Sequence, residues 1–197
     1  MTGLTLLRHG ETDWSRDGRF QGLADVPLTA EGRRQAERAA GRLRDSGVVR
    51  VFSSDLARAR VTAGIVADRL GVPVELDPRL REVDVGSWEG LTRAEVGERH
   101  PHEYAAWRAD PTLAVCGREQ WAALMGRCRS ALEAILAGYE GREVLVVTHA
   151  TVAAALVGHL LELPVPEAAV VADLPAGGWL RVARRAPGGR WAVTADA

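Results

Sequence analysis

The chain has 197 residues, 25 Lys+Arg against 26 Asp+Glu, a formal net charge of −1 and a pI near 6.5. With 47% hydrophobic and 26% charged residues it has the composition of a folded chain, long enough for one domain or two small ones. The near-zero net charge argues against a dedicated binder of nucleic acid or of membrane surfaces. Every basic residue is arginine, and neither lysine nor asparagine occurs. Schiff-base lysine chemistry, pyridoxal attachment, a Walker phosphate loop and N-linked glycosylation are therefore excluded. Cys116 and Cys128 make no CxxC pattern and read as small buried hydrophobes. The opening MTGLTLLRHGET is unlike a signal peptide, and the longest apolar segment, 150–163, is broken by His159 and Glu162 and too short to span a bilayer. A cytoplasmic location is expected.

In chain order, residues 3–7 form a short apolar run that predicts a buried strand. Thr29 can cap a helix running to about Asp45, with Ala36, Ala39, Ala40 and Leu43 at helical spacing and Gly47 as its C-terminal cap. A second strand covers 48–52. A helix from Asp55 carries Leu56, Ala59, Ala63, Val66 and Leu70 on one stripe and stops at Gly71. A short third strand follows at 74–76. The stretch 77–117, with prolines at 78, 101 and 111, reads as loops and short helices inserted over one end of the sheet. A helix spans 118–136, a buried strand 143–147 and an apolar helix 151–161. The tail holds runs at 169–173, 179–184 and 191–194, separated by Pro-Ala-Gly-Gly and Ala-Pro-Gly-Gly turns that suggest antiparallel edge strands. Alternating strands and helices predict a three-layer α/β/α domain over 1–197, its central sheet mostly parallel. The late hairpin is the segment able to supply a homodimer edge.

Four pieces stand at the carboxyl ends of these strands, where open α/β sheets hold their ligands. They are Arg8-His9-Gly10, Ser53 to Arg58, Glu82, and Thr148-His149-Ala150. Two histidines, two arginines and a carboxylate in one crevice describe an anion site with an acid beside it. Arg8 and Arg58 offer planar paired donors to phosphate oxygens. Arg58 would lie in the first turn of its helix, where the positive end of the helix dipole adds to its charge. A neutral His9 is a competent nucleophile toward phosphorus, and Gly10 would let the backbone turn sharply and expose the ring. His149 can donate to an equatorial oxygen in the transition state. A carboxyl at Glu82 could protonate the leaving oxygen, provided that partial burial keeps it protonated; Glu11 and Glu89 are alternative acids on spacing alone. No metal or other cofactor is required. Elsewhere, His100 and His102 read as a solvated loop, His159 as structural, Arg184-Arg185 as a strand edge, and Trp88 and Trp107 as mouth or core.

Together these pieces resemble the histidine phosphatase superfamily, in its phosphoglycerate mutase-like branch. Leu6 to Thr12 resembles the family signature, and Gly18 to Gly22 and Asp25 to Thr29 its continuation. Ser53 to Ala59 with Thr62, Leu80 to Gly90, and Val146 to His149 match the later blocks in family order, from residue 4 to about 155. The resemblance implies that His9 becomes phosphohistidine and that Arg8, Arg58 and His149 line the phosphate pocket. It selects Glu82 as proton donor and then base, and places Gln21 and Gly22 against the substrate. Three departures stand out. Ser15 replaces an Asn usual in the family, and can still donate one bond to phosphate; Ala150 replaces a common Gly; residues 115–120 replace Pro-x-Gly-Glu-Ser. The implied activity is metal-independent hydrolysis of a small-molecule phosphomonoester. Mutase-type phosphoryl transfer is the alternative, and a non-catalytic phosphate-binding module a third reading. Between 92 and 117 the basic residues are Arg93, Arg99 and Arg108, which favours an open mouth for a bulkier or less charged ester.

Overall fold

Strand β1 (Thr2–Arg8) is buried almost throughout, and its side chains divide with period two. Leu4 and Leu6 enter one apolar cluster, Leu7 the opposite one. Strand β4 (Glu143–Thr148) does the same, with Val144 and Val146 on the first side and Leu145 and Val147 on the second. Strands apolar on both faces belong at the centre of a parallel sheet covered by helices. The computed structural model, which describes residues 1–186 and 188–194, places them there. β2 (Val48–Ser53) and β3 (Val74–Leu76) extend the parallel part, while β5 (Trp179–Arg184) and β6 (Ala192–Thr194) add antiparallel strands beyond β1. The order is β3-β2-β4-β1-β5-β6. Pro187 of the expected Ala-Pro-Gly-Gly turn and residues 195–197 lie outside the described residues.

After α1 (Asp13–Arg16), helices α2 (Ala30–Arg42) and α3 (Ala57–Leu70) cover one face through Ala39, Ala40, Leu43, Ala59, Ala63 and Val66. Alanines at the contact let both backbones approach the sheet closely. α4 (Arg93–Arg99) and α5 (Pro101–Ala109) lie in the 77–117 segment, with short 3-10 turns at Pro78–Leu80 and Gly86–Trp88. The second face is covered by α6 (Trp121–Gly138) and α7 (Ala150–Leu161), which bury Leu124, Cys128, Leu132, Val152 and Leu156; α8 (Val165–Val171) packs on α7.

Some boundaries differ from the sequence reading. Thr29 caps α2 as expected, its side chain accepting from the Gly32 N–H at 2.9 Å, but the helix ends at Arg42 and Gly47 serves the turn into β2 at φ 75°. Asp55 stays outside α3 because it is bound bidentately to Arg81, at 2.7 and 2.5 Å. The run 169–173 is not a strand. Pro164 and Val165 open a helical turn there, and Ala168 docks on Gly158 of α7, where a Cβ would sit 3.1 Å from the Ala168 methyl.

Because Leu6 is fully buried in the central strand, Leu6→Ala is expected to lower unfolding stability in urea by about 2–5 kcal/mol. Val193→Ala, at a half-exposed site on the outer strand β6, should change it by less than about 0.5 kcal/mol.

Candidate active site

The sheet register assembles the site. Arg8 of β1 pairs with Thr148 of β4, so the next residues, His9 and His149, leave adjacent strands side by side. The His9 N–H donates to the Thr148 carbonyl at 3.0 Å, and the two rings meet edge to face with centroids 5.1 Å apart. On the other flank Ser53 pairs with Val147, and the Ser54 N–H donates to the Val147 carbonyl. This brings the start of α3, with Arg58, to the same end of the sheet.

His9 is buried, and its Nδ1 lies 2.7 Å from the Gly10 carbonyl. A carbonyl only accepts, so Nδ1 carries the proton and Nε2 keeps its lone pair. Burial, then the charges of Arg58 and Arg8, pull its pKa down to about 3 against the opposing pull of the Gly10 bond. The ring is neutral at physiological pH, the state a nucleophile needs. Gly10 serves this arrangement by close approach rather than by an unusual φ. A Cβ at Gly10 would collide with the Gly32 carbonyl, and one at Gly32 with the Glu11 backbone. The Gly10 N–H donates to Thr62 Oγ1, which donates in turn to the Arg58 carbonyl, tying the turn to α3.

Arg58 is fully buried. Its Nη1 and Nη2 donate to the Ala24 and Gly22 carbonyls at 2.7 and 2.9 Å, and its Nε to His149 Nδ1 at 3.2 Å. His149 Nδ1 must therefore be unprotonated, and Nε2–H donates to Ser54 Oγ at 2.9 Å. Burial and the neighbouring Arg58 hold the His149 pKa well below the usual imidazole range. Arg8 donates from Nη1 to the Leu174 carbonyl at 2.7 Å, while its Nε is buried without a partner. The tail clasps this corner further. Gly177 N–H donates to the Arg8 and His9 carbonyls, and Arg8 N–H to the Gly178 carbonyl.

A cavity of about 220 Å³ opens over these groups, lined by Arg8, His9, Gln21, Gly22, Arg58 and Glu82 among others. Glu82 is held from behind: its Oε1 accepts from the Val83 N–H, and its Oε2 from Thr151 N–H of α7 at 3.4 Å. Arg127 of α6 fixes the loop by donating to the Arg79, Arg81 and Glu82 carbonyls while paired with Glu119. Neither Arg127 nor the tail clasp is marked by any motif.

Two expected site residues, Ser15 and His149, do not line the cavity. The Ser15 hydroxyl accepts from the Thr12 N–H and donates to the Thr12 carbonyl, closing a capping box at α1. His149 lies beneath the lining, its one N–H aimed at Ser54 rather than toward an equatorial oxygen. Gln21 lines the cavity and accepts from Thr12 Oγ1 at 2.8 Å. Of the two tryptophans, Trp88 is core and Trp107 reaches the cavity wall. The mouth is also more cationic than expected, because Arg19 and Arg118 join Arg93 in lining it. They come from either side of the 92–117 window, so that window alone understates the charge.

The fold is that of a phosphoglycerate mutase-like histidine phosphatase. Residues 4–191 match the Histidine phosphatase superfamily (branch 1), and the chain belongs to that family. Glucosyl-3-phosphoglycerate phosphatase of Mycobacterium tuberculosis is 35% identical over 201 residues, covering 98% of this chain and 88% of that protein. A bifunctional protein of the same organism is 42% identical over 151 residues, 76% of this chain; the match takes in 42% of that longer protein. The solved structure of a mycobacterial glucosyl-3-phosphoglycerate phosphatase in complex with VO3 has a TM-score of 0.89 at 33% identity, covering 98% of this chain and 97% of that one.

Two buried neutral imidazoles make stability depend on pH. Unfolded, each ring binds a proton below its ordinary pKa of 6.5; folded, His9 resists until about pH 3. The unfolded chain therefore holds more protons in that window, and stability falls as pH drops through it. Urea unfolding from pH 7 to 5 should show a loss of up to about 1.4 kcal/mol per pH unit per ring. The slope should be smaller in His9→Gln; equal slopes would contradict the neutral His9.

Proposed function

We propose that the chain is a phosphomonoester hydrolase in which His9 carries the phosphoryl group and no metal takes part. The observation that supports this most is the His9 ring, neutral and with Nε2 unprotonated, in one cavity with Arg8, Arg58 and Glu82. Nε2 attacks phosphorus as the ester P–O bond breaks, and Arg8 and Arg58 balance the charge on the non-bridging oxygens. Glu82 in its acid form gives its proton to the leaving oxygen. As carboxylate it then takes a proton from water, which attacks the phosphohistidine; the P–N electrons return to Nε2 and phosphate departs. Gln21 and Gly22 flank the substrate. His149 acts through its bond to Arg58, orienting the guanidinium, rather than by touching the ester in this arrangement. The 77–117 segment is the lid region of a single domain, since Glu82, Val83, Val85, Arg93 and Trp107 bring it onto the cavity.

A volume of about 220 Å³ holds a phosphate and a few further atoms; a larger remainder would extend through the mouth. The substrate class is a small phosphate ester whose phosphorylated end is compact. The names of relatives, glucosyl-3-phosphoglycerate phosphatase among them, agree with hydrolysis of such an ester.

Hydrolysis of p-nitrophenyl phosphate should persist in excess EDTA and fall by about 10³-fold or more in His9→Ala. Acid-sensitive, base-stable label from a ³²P ester should be trapped on the wild-type chain and not on that variant. Isomerisation of 3-phosphoglycerate without phosphate release would select the mutase alternative, and phosphate binding without either activity the non-catalytic module. Glu82→Gln should lower turnover of an alkyl phosphate by about 10²- to 10⁴-fold. It should lower p-nitrophenyl phosphate turnover less, because nitrophenolate leaves without a proton.

A further inference from the structure

Away from the catalytic cavity, three side chains that commonly ligate metals converge. A ring nitrogen of His100, a carboxylate oxygen of Glu103 and the Cys116 sulfur all lie within 4.8 Å of one another. The sequence reads His100 as part of a solvated loop with His102. The structure instead sets it at the junction of α4 and α5, where its ring makes no capping hydrogen bond. Glu103 follows three residues later in the first turn of α5, which brings the two side chains to one face. Cys116 reaches them from the far end of the segment, on backbone that is fixed. Ser87 N–H donates to the Cys116 carbonyl at 3.0 Å and Arg118 N–H to the Val115 carbonyl at 2.9 Å, and a Cβ at Gly86 would collide with the Cys116 carbonyl. Cys116 itself is held at φ 53°, a conformation seldom adopted by a residue with a Cβ and retained where surrounding structure enforces it.

The spacing is that of ligands around one ion. His100 Nδ1 lies 3.7 Å from Cys116 Sγ. A tetrahedral zinc ion, with bonds of about 2.1 Å to nitrogen and about 2.3 Å to sulfur, holds those two atoms about 3.6 Å apart. Glu103 is exposed, so its carboxylate can close on the same point by side-chain rotation alone. Thiolate, imidazole and carboxylate together suit Zn2+, whereas Mg2+ and Ca2+ prefer all-oxygen sets. We infer that His100, Glu103 and Cys116 form a Zn2+ site that ties the start of α5 to the 115–118 loop, with water as the fourth ligand. On binding, the thiol proton goes to solvent and the sulfur lone pair forms the Zn–S bond. None of the three residues lines the catalytic cavity, so the ion is structural and the inference stands apart from the hydrolase reading. Its effect is mechanical. Trp107 of α5 and Arg118 at the end of the loop both line the cavity, and joining their supports fixes one side of the mouth.

The test titrates the reduced, metal-free full chain, without an affinity tag, with Zn2+ by calorimetry. A single equivalent should bind, excess Mg2+ should not displace it, and melting temperature should rise with it. Cys116→Ser, His100→Gln and Glu103→Gln should each weaken binding by more than the roughly 10- to 100-fold typical of changes outside the ligand set. His102→Gln should leave it unchanged. Co2+ in place of Zn2+ should give a thiolate-to-metal charge-transfer band, and Zn2+ should slow alkylation of Cys116, located by peptide mass. Both of these readouts use the wild-type chain, so they hold even where a variant does not fold. Absence of Zn2+ uptake by the wild type would overturn the inference. So would uptake that leaves Cys116 alkylation unslowed, or uptake lost in His102→Gln and kept in Cys116→Ser, which would mark surface histidine binding only. None of these outcomes bears on p-nitrophenyl phosphate turnover in EDTA, so the two readings fail separately.

Discussion

The structure turns on a buried positive charge that, among the described residues, is hydrogen-bonded by no carboxylate. Arg58 is fully enclosed, and the groups that satisfy it are two backbone carbonyls and an imidazole nitrogen. Carbonyl dipoles orient a guanidinium without neutralising it, so its field remains for other groups. One result is seen in the two histidines, which that field and burial together keep neutral. The other is an environment in which an anionic ester supplies the missing opposite charge. In the proposed reaction the same cation thus keeps the His9 ring neutral and attracts the ester that the ring attacks.

Secondary structure turns this local fact into a site. The two imidazoles come from segments about 140 residues apart in sequence, yet the pairing of Arg8 with Thr148 makes them neighbours. Central strands apolar on both faces resist slippage, because a shift by one residue would exchange the two cores. The precision of the site is therefore inherited from the packing of Leu4, Leu6 and Leu7 against two different helical layers.

Much of this was legible in the chain. Short apolar runs identified the central strands, cap residues such as Thr29 and Gly71 marked helix ends, and the strand-end motifs placed His9, Arg58 and Glu82 together. Three kinds of feature were not. The run 169–173, with two consecutive valines, favours a strand locally, and only its docking on Gly158 makes it helical. Ser15 has a hydroxyl suited to phosphate, but the nearby Thr12 backbone uses it first. Arg118 belongs to no recognisable motif, and its place beside the Trp88 and Trp107 rings depends on folding of the 77–117 segment. For the 169–173 run and Arg118 the decisive contact is tertiary, and local sequence carries no trace of it; for Ser15 it is the local capping box with Thr12.

The position of β1 between β4 and β5 also bears on biosynthesis. Arg8 and His9 are made before the segments that enclose them: the strand on one side of them ends at Thr148 and the tail clasp comes from Leu174, Gly177 and Gly178. A nascent chain that has not reached residue 178 contains His9 and lacks part of the surroundings that bury it. The enclosure of the His9 ring is therefore completed only after both distant segments have been made.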